Sequence, residues 1–149
     1  MKSFLSELLE YNWQMNLQII HAMIQHKDKV SAKSVKWMNH ILNAQELFHT
    51  RIEPALKAYG SWHMRELEEL ESVNEDLHHV TGGILTRYEL DTMIRYTTTT
   101  GIPLQNTIQD IIFHIVNHGT YHRGQIAADF RSTGLEPIVT DYVIWKRYQ

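Results

Sequence analysis

Hydrophobic residues recur every three or four positions in the first third of the chain. Across residues 3–26 this spacing predicts one amphipathic helix, with Ser3 as its N-cap. A second helical pattern begins after Ser31 or Ser34 and continues to Pro54, which is expected to kink or end that helix. The apolar stripe of this second helix consists of Trp37, Ile41, Ala44, Leu47, Phe48 and Arg51.

The middle of the chain changes character twice. Residues 61–87 are acidic and favour a third helix, although Gly82 and Gly83 each disfavour it by about 1 kcal/mol. Residues 91–103 contain four consecutive threonines and predict extended chain or a short strand-like loop.

The last long helical pattern begins at Asn106 or Thr107 and runs to about Arg131, with Gly134 and Pro137 as its stop signals. Its apolar positions are Leu104, Ile108, Ile111, Ile115, Ile126 and Phe130.

These elements predict an all-α fold. Four helical segments with one short extended loop before the last long helix favour an antiparallel four-helix bundle, and 149 residues suit a single domain over 1–149. The C-terminal segment is too apolar for a free tail, so we expect it to pack on the bundle or on a second copy of the chain; its apolar residues are Tyr142, Val143, Ile144, Trp145 and Tyr148.

Charge and composition narrow the classes of partner. Fourteen Lys and Arg against seventeen Asp and Glu give a net charge of −3 without a run of like charges, which argues against nucleic-acid and anionic-membrane partners. No stretch reaches the roughly 20 apolar residues of a membrane span, so we expect a soluble, cytoplasmic protein. The absence of cysteine excludes thiolate metal sites and a cysteine nucleophile, whereas ten histidines are unusual and raise the question of a metal site.

Three histidines follow one another at intervals of four residues in the last long helix. Residues four apart are about 6 Å apart along the axis and can bind one ion, whereas His114 and His122 are about 12 Å apart and cannot both do so. By helical angle, His118 and His122 lie closer to the apolar stripe than His114 does. We therefore expect His118 and His122 to face the interior, with His114 a supporting or bundle-edge residue.

A third ligand must come from another element. His40 falls within the apolar arc of the second helix and should point into the bundle. His49, His63, His78 and His79 fall off the apolar stripes and are interpreted as solvated or structural. The geometry leaves open that the three inward histidines are satisfied by hydrogen bonds without any metal.

Two other metal sites are tested by the same geometry. A zincin helix needs Glu after its first histidine, and here Gly119 follows His118. A di-iron bundle needs inward Glu-x-x-His motifs, but the two candidates, at residues 46–49 and 75–78, face outward by helical angle, and the last long helix supplies no Glu. Both alternatives are disfavoured.

The stretch Asn117-His118-Gly119-Thr120-Tyr121-His122-Arg123-Gly124-Gln125, preceded by His114, resembles the last-helix signature of the DinB-like family. Residues 11–16 (Tyr-Asn-Trp-Gln-Met-Asn), 39–46 (Asn-His-Ile-Leu-Asn-Ala-Gln-Glu) and 141–145 (Asp-Tyr-Val-Ile-Trp) agree with it, so the resemblance covers almost the whole chain.

This resemblance implies a four-helix bundle, often a homodimer, that holds one divalent metal. The metal ligands that it implies are His40, His118 and His122, the three residues that the helical angles select independently. Zinc is the first expectation, with nickel, iron or manganese open. In this interpretation Gly124 marks a close contact between helices.

The family includes thiol-dependent transferases and isomerases, so the resemblance implies a metal-dependent thiol S-transferase or a hydrolase that acts on a small molecule. The alternatives are a non-catalytic, metal- or small-molecule-binding stress-response bundle and a plain structural bundle. No catalytic residue and no cofactor besides the metal is predicted. The side chains that could orient ligands or substrate are Asn16, Asn43, Asn117, Tyr121 and Gln125. Four tryptophans, seven tyrosines and the apolar C-terminal segment predict a homodimer.

Overall fold

A computed structural model describes residues 1–98 and 100–149 and shows a mostly helical chain with one small sheet. The long helices are α1 (Lys2–Gln25), α2 (Ala32–Ile52), α3 (Leu70–Arg87) and α4 (Ile108–Ser132). The shorter elements are a 3-10 turn (Leu67–Glu69), strands β1 (Met93–Thr97) and β2 (Pro103–Thr107), and helix α5 (Tyr142–Lys146).

The four long helices enclose two apolar clusters. The most extensive contacts join α2 with α4 and α1 with α3. One cluster contains the first half of α1 and of α4 together with Trp145, and the other contains the second halves of these two helices together with residues of α2 and α3. Between the clusters lies a set of buried polar side chains, in the middle part of α1, α3 and α4 and in the second half of α2: Asn12, Asn16, Gln45, His49, Thr81 and Arg123.

Capping residues account for the ends of α2 and α4. The Ser31 hydroxyl accepts a hydrogen bond from the Ser34 N–H, and Thr107 forms a capping box with Asp110 at the start of α4. The α4 helix ends in a Schellman motif, in which Gly134 has φ +78° and the Leu135 N–H donates to the Phe130 carbonyl over 2.9 Å. These ends agree with those expected from the sequence.

Three expected boundaries were wrong. Helix α1 begins at Lys2, so Ser3 is not its N-cap. Residues 61–66 are not helical; the third helix starts with the 3-10 turn, where Glu66 and Glu69 form a capping box. Leu104 lies on β2 with 45% of its surface exposed, because helix α4 starts only after its cap at Thr107.

The extended segment expected at residues 91–103 contains strand β1 and leads into strand β2 of a β-hairpin; Thr99 lies outside the described residues. Strands β1 and β2 are antiparallel, with Met93 opposite Thr107 and Tyr96 opposite Leu104. Gly101 in the connecting turn has φ +84°, a conformation that favours glycine. The chain is therefore not purely α-helical.

The buried face of α2 differs from the stripe expected from hydrophobicity. Trp37, Phe48 and Arg51 of that stripe are only half-buried, whereas Gln45 and His49 are fully buried. The Thr81 hydroxyl donates to the Leu77 carbonyl, so it accepts from Gln45 Nε2 and from His49 Nε2, each over 2.8 Å. His49 is thus a neutral structural histidine that ties α2 to α3.

The C-terminal helix packs on α1, one of the two outcomes expected for this apolar segment. Trp145 Nε1 donates to Gln14 Oε1 over 2.7 Å, and the rings of Tyr142 and Trp145 lie 5.5 and 5.6 Å from the ring of Tyr11. None of the helices in the described part of the chain has the length and apolarity needed to span a bilayer.

Burial lowers the pKa of His49 to about 4, against about 6.5 for an unfolded chain. Since the folded state binds fewer protons in this interval, the stability that neutral His49 contributes is complete above about pH 6.5 and is lost as the pH falls toward 4. We expect wild type to lose up to about 3 kcal/mol more of its free energy of unfolding than His49→Gln across this range. Urea titrations at several pH values measure the difference.

The control for this experiment is His79→Gln, which removes a histidine whose side chain is mostly exposed. It should keep the wild-type pH dependence. Equal pH dependence in wild type and His49→Gln would contradict the assignment.

Candidate metal centre

The structure brings together the three histidines expected to bind metal. His118 and His122 lie one turn apart on α4, and His40 faces them from α2. The ring centroid of His40 is 5.0 Å from that of His118 and 4.7 Å from that of His122, and the two α4 rings are 4.4 Å apart. One ring nitrogen from each of the three lies within 4.8 Å of the others.

Two of these rings are fixed in the tautomer that a metal ligand needs. His40 Nδ1 lies 2.9 Å from the Ser61 carbonyl oxygen, and His122 Nδ1 lies 2.6 Å from Gln125 Oε1. A carbonyl oxygen only accepts, so each Nδ1 carries the proton and each Nε2 keeps its lone pair. Metal-binding histidines are typically oriented in this way, and Gln125, one of the side chains that could orient ligands, accepts this hydrogen bond from His122.

His118 supplies the observation that fits a metal best. Its Nε2 is buried and has no hydrogen-bond partner among the described residues. An unpartnered buried polar atom costs about 1–3 kcal/mol, and a cation bound between the three rings would give that lone pair a partner. The donor set present therefore fits a divalent cation.

The electrostatics also favour neutral rings. Burial, and then the proximity of His122 and His40, lowers the pKa of His118 to about 4. Burial also lowers the pKa of His122. Because a metal binds the neutral imidazole, His118 and His122 are in their ligand form near neutral pH. If these three histidines hold a metal, a coordination position would stay open for water or a substrate atom, as in catalytic zinc sites.

Aromatic side chains form a rim around the centre. Trp37 stacks on His122 at 4.8 Å, Trp62 stacks on His40 at 4.0 Å, and Tyr121 lies edge-on to His122 at 4.9 Å. Trp62 is 50% exposed and Tyr121 65%, so the rim lies at the surface of the molecule.

The model of the DinB family matches residues 1–149. The chain belongs to the DinB family. A 42-residue stretch, 28% of the chain, is 43% identical to Protein DinB of Bacillus subtilis (strain 168). That match spans only 24% of the relative, about a quarter of its length.

Sequence reasoning missed the segment of this DinB-family protein that supplies Ser61 and Trp62. Polar residues of α2 hold it: Asn43 Nδ2 donates to the Ser61 carbonyl over 3.3 Å, and Glu46 pairs with Arg65 at 2.9 Å. Glu46 was expected to face outward, yet its carboxylate is largely buried by this pair. No periodicity in residues 61–66 signals the arrangement, because the bonds that create it connect residues far apart in sequence.

The remaining candidates lie in different places. Asn16 contacts Asn74 and Arg123 in the interior, and Asn117 lines a groove on the other side of α4. The ring of His114 is exposed, lies 5.4 Å from that of His118, and is outside the group of three. Within the described residues, neither Glu of the di-iron motifs belongs to a group of three close metal-binding side chains.

A buried arginine next to His122 was not anticipated. Arg123 is fully buried, and its Nη1 donates to Asn12 Oδ1 over 2.6 Å and to Asn16 Oδ1 over 2.9 Å. Its Nη2 donates to Thr120 Oγ1 over 2.9 Å, and its guanidinium lies 5.2 Å from the centre of the Tyr11 ring. The signal in the sequence was a charged residue on the apolar face of helix α4.

The glycine at the close helix contact is Gly119, and the expectation for Gly124 was wrong. A Cβ at Gly119 would lie 2.5 Å from Asn12 Oδ1 and 2.9 Å from Arg123 Nη1. A Cβ at Gly124 would meet nothing within 4 Å. The close approach is required one turn before Arg123, where α1 and α4 share the buried guanidinium.

We expect the double variant His118→Ala, His122→Ala to lose the metal that wild type retains, because it removes two of three donors. Elemental analysis of protein purified without an affinity tag measures this. Zinc at about 100 times its dissociation constant should raise the free energy of unfolding of wild type by about 2.7 kcal/mol, and should leave the double variant unchanged.

His114→Ala is the matched control, since it removes a neighbouring histidine of the same helix and should keep the metal. Wild type that binds neither zinc nor nickel after reconstitution would refute the centre. Equal loss of metal in His114→Ala would refute the choice of ligands.

Proposed function

We propose that this protein is a metal-dependent enzyme that transfers a low-molecular-weight thiol to a small-molecule electrophile. Zinc is the proposed metal, and His40, His118 and His122 are its proposed ligands. The observation that carries the proposal is the unpartnered Nε2 of His118, which lies among rings whose own Nε2 atoms are kept free for a ligand.

A divalent cation bound by three neutral imidazoles lowers the pKa of a coordinated thiol or water and so supplies a nucleophile at neutral pH. The protein's own contribution is to keep the donors unprotonated and correctly oriented. Burial keeps His118 neutral, while Ser61 and Gln125 hold the Nδ1 protons of His40 and His122. Trp37 and Trp62 each stack on one of these rings and cover one of its faces.

Thiol transfer is favoured over hydrolysis by the state of the carboxylates that are nearest in sequence to the three histidines on α2 and α4. Glu46 is paired with Arg65, and Asp129 accepts hydrogen bonds from Ser31 and Ser34. Hydrolysis by a metal-bound water benefits from a free general base, whereas a deprotonated thiol is already the nucleophile.

We infer that the four long helices form an antiparallel four-helix bundle. The contacts of α2 with α4 and of α1 with α3 support this architecture. The order of the ring contacts supports antiparallel packing, because His40 faces His122 while Phe48, further along α2, faces His114, further back on α4. Such bundles place metal sites between facing helices.

Zinc-loaded wild type should consume a thiol together with an electrophile such as monobromobimane faster than the uncatalysed reaction does, because the metal raises the thiolate fraction. His118→Ala, His122→Ala should react at the uncatalysed rate. Gln125→Ala should weaken metal binding or activity about 10- to 100-fold, since it removes the oxygen that accepts the hydrogen bond from His122 Nδ1 and so orients the ring. The rate of thiol loss and the zinc affinity are the measurements.

Gln105→Ala, at an exposed position of β2, is the control for Gln125→Ala and should behave as wild type. Metal-loaded protein that neither consumes thiols nor hydrolyses simple esters and amides would favour a non-catalytic metal-binding role instead.

We also propose that the protein is a homodimer. Large apolar side chains remain exposed on α4 and in the C-terminal residues 142–148, among them Phe113 at 54% and Tyr148 at 83%. Light scattering at micromolar concentration should give twice the mass of the chain, and a monomer mass would contradict the proposal.

A further inference from the structure

The guanidinium of Arg51 is held between two aromatic rings near the metal centre. Its central carbon lies 4.2 Å from the centre of the Phe48 ring on α2 and 4.5 Å from that of the Tyr96 ring on β1. Two elements thus fix the position of this cation, and the side chain stays half-buried with part of its surface accessible.

A row of rings connects Arg51 to the three-histidine group. The Phe48 ring lies 4.7 Å from the His114 ring, which in turn lies 5.4 Å from the ring of His118. His114 is exposed, so the row runs along the surface rather than through the core. Phe48 is eight residues beyond His40 on α2, about 12 Å along the helix axis. Because the guanidinium lies beside the Phe48 ring, its distance from the centre is likewise on the order of 10 Å.

The donors of Arg51 are not engaged by the surrounding protein. The carboxylate of Glu53 pairs with Arg87 at 2.6 Å, and that of Glu46 pairs with Arg65. Within residues 1–98 and 100–149, no carboxylate oxygen lies within 4.0 Å of an Arg51 nitrogen, and no side-chain hydrogen bond is donated by Arg51. The Tyr96 hydroxyl is occupied by Asn106 Oδ1 at 2.7 Å, so Tyr96 offers its ring alone.

We propose that Arg51 is the anion-binding subsite of this enzyme. It binds a carboxylate of the same thiol whose sulfur lies at the centre formed by His40, His118 and His122. The inference rests on the proposed function for the position of the sulfur. A guanidinium presents parallel N–H donors that match a carboxylate, and a single positive charge balances a single carboxylate. Partial burial strengthens such a contact relative to one in open water.

The separation of the two sites selects the class of thiol. Extended chain covers about 3.5 Å per residue, so a carboxylate on the order of 10 Å from the sulfur belongs to a molecule about as long as a dipeptide or tripeptide. Small thiols without a distant carboxylate bind at the metal centre alone and gain nothing from Arg51.

The test compares two probes of equal length, 8-mercaptooctanoate and 8-mercaptooctanol, by calorimetric titration of zinc-loaded protein. Wild type should bind the carboxylate at least about tenfold more tightly, the usual effect of a charge-assisted hydrogen bond. Arg51→Gln should abolish this preference while it changes the affinity for the alcohol less than about twofold. Arg51→Lys keeps the charge without the paired donors and should retain only part of the preference.

Lys36→Gln is the matched control, because Lys36 is a cation on the opposite rim, 5.0 Å from the centre of the Trp62 ring. It should retain the preference for the carboxylate. If Lys36→Gln and Arg51→Gln lost the preference for the carboxylate equally, the preference would come from long-range attraction between the charged surface and the probe, and the subsite would be overturned. Equal affinity of wild type for the two probes would also overturn it.

The same titrations separate the two proposals. Zinc-loaded wild type that binds both probes equally refutes the Arg51 subsite and leaves the metal centre standing. Wild type that binds no zinc, or zinc-loaded protein that binds neither thiol, refutes the proposed function. Zinc content and circular dichroism of each variant show that the protein compared is folded and loaded.

Discussion

A guanidinium buried in the middle of the molecule constrains how the helices around it pack. Burial of a charge costs several kcal/mol unless hydrogen bonds replace water, and Arg123 obtains them from Asn12 and Asn16 of α1 and from Thr120 of its own helix. Both asparagines, one turn apart on α1, must therefore face α4 at the level of Arg123. The approach also requires a residue without Cβ at Gly119, so sequence, helix register and interhelical distance are linked at one point.

The same constraint sets the orientation of the candidate metal centre. Neighbouring residues of a helix point about 100° apart, so once Arg123 points to α1, His122 and His118 face a different neighbour, which is α2. Helix α2 is held independently, because Gln45 and His49 bind the Thr81 hydroxyl of α3. The polar layer between the two apolar clusters thus fixes both sides of the site.

Much of α4 could be predicted from the sequence because its signals are local. A capping residue at Thr107, a regular apolar stripe and Gly134 define the helix, and the angle between His118 and that stripe identifies the inward pair. The buried face of α2 could not be found in this way, since two of its core positions, Gln45 and His49, are polar and become acceptable only through Thr81 on another helix.

The position of the segment that contains Ser61 and Trp62 could not be predicted either, because it depends on hydrogen bonds between residues far apart in sequence. Ser61 and Trp62 reach His40 because Asn43 and Glu46 hold their segment against α2, and nothing within residues 61–66 encodes that contact. The Nδ1 proton of His40 is likewise held by a carbonyl distant in sequence, whereas that of His122 is held by Gln125, three residues further along the same helix. The folded chain already orients these two rings and keeps the Nε2 of His118 unpartnered, at a cost of about 1–3 kcal/mol. A cation that binds there recovers this energy without having to order the rings, so its affinity depends on the same helix packing that buries Arg123.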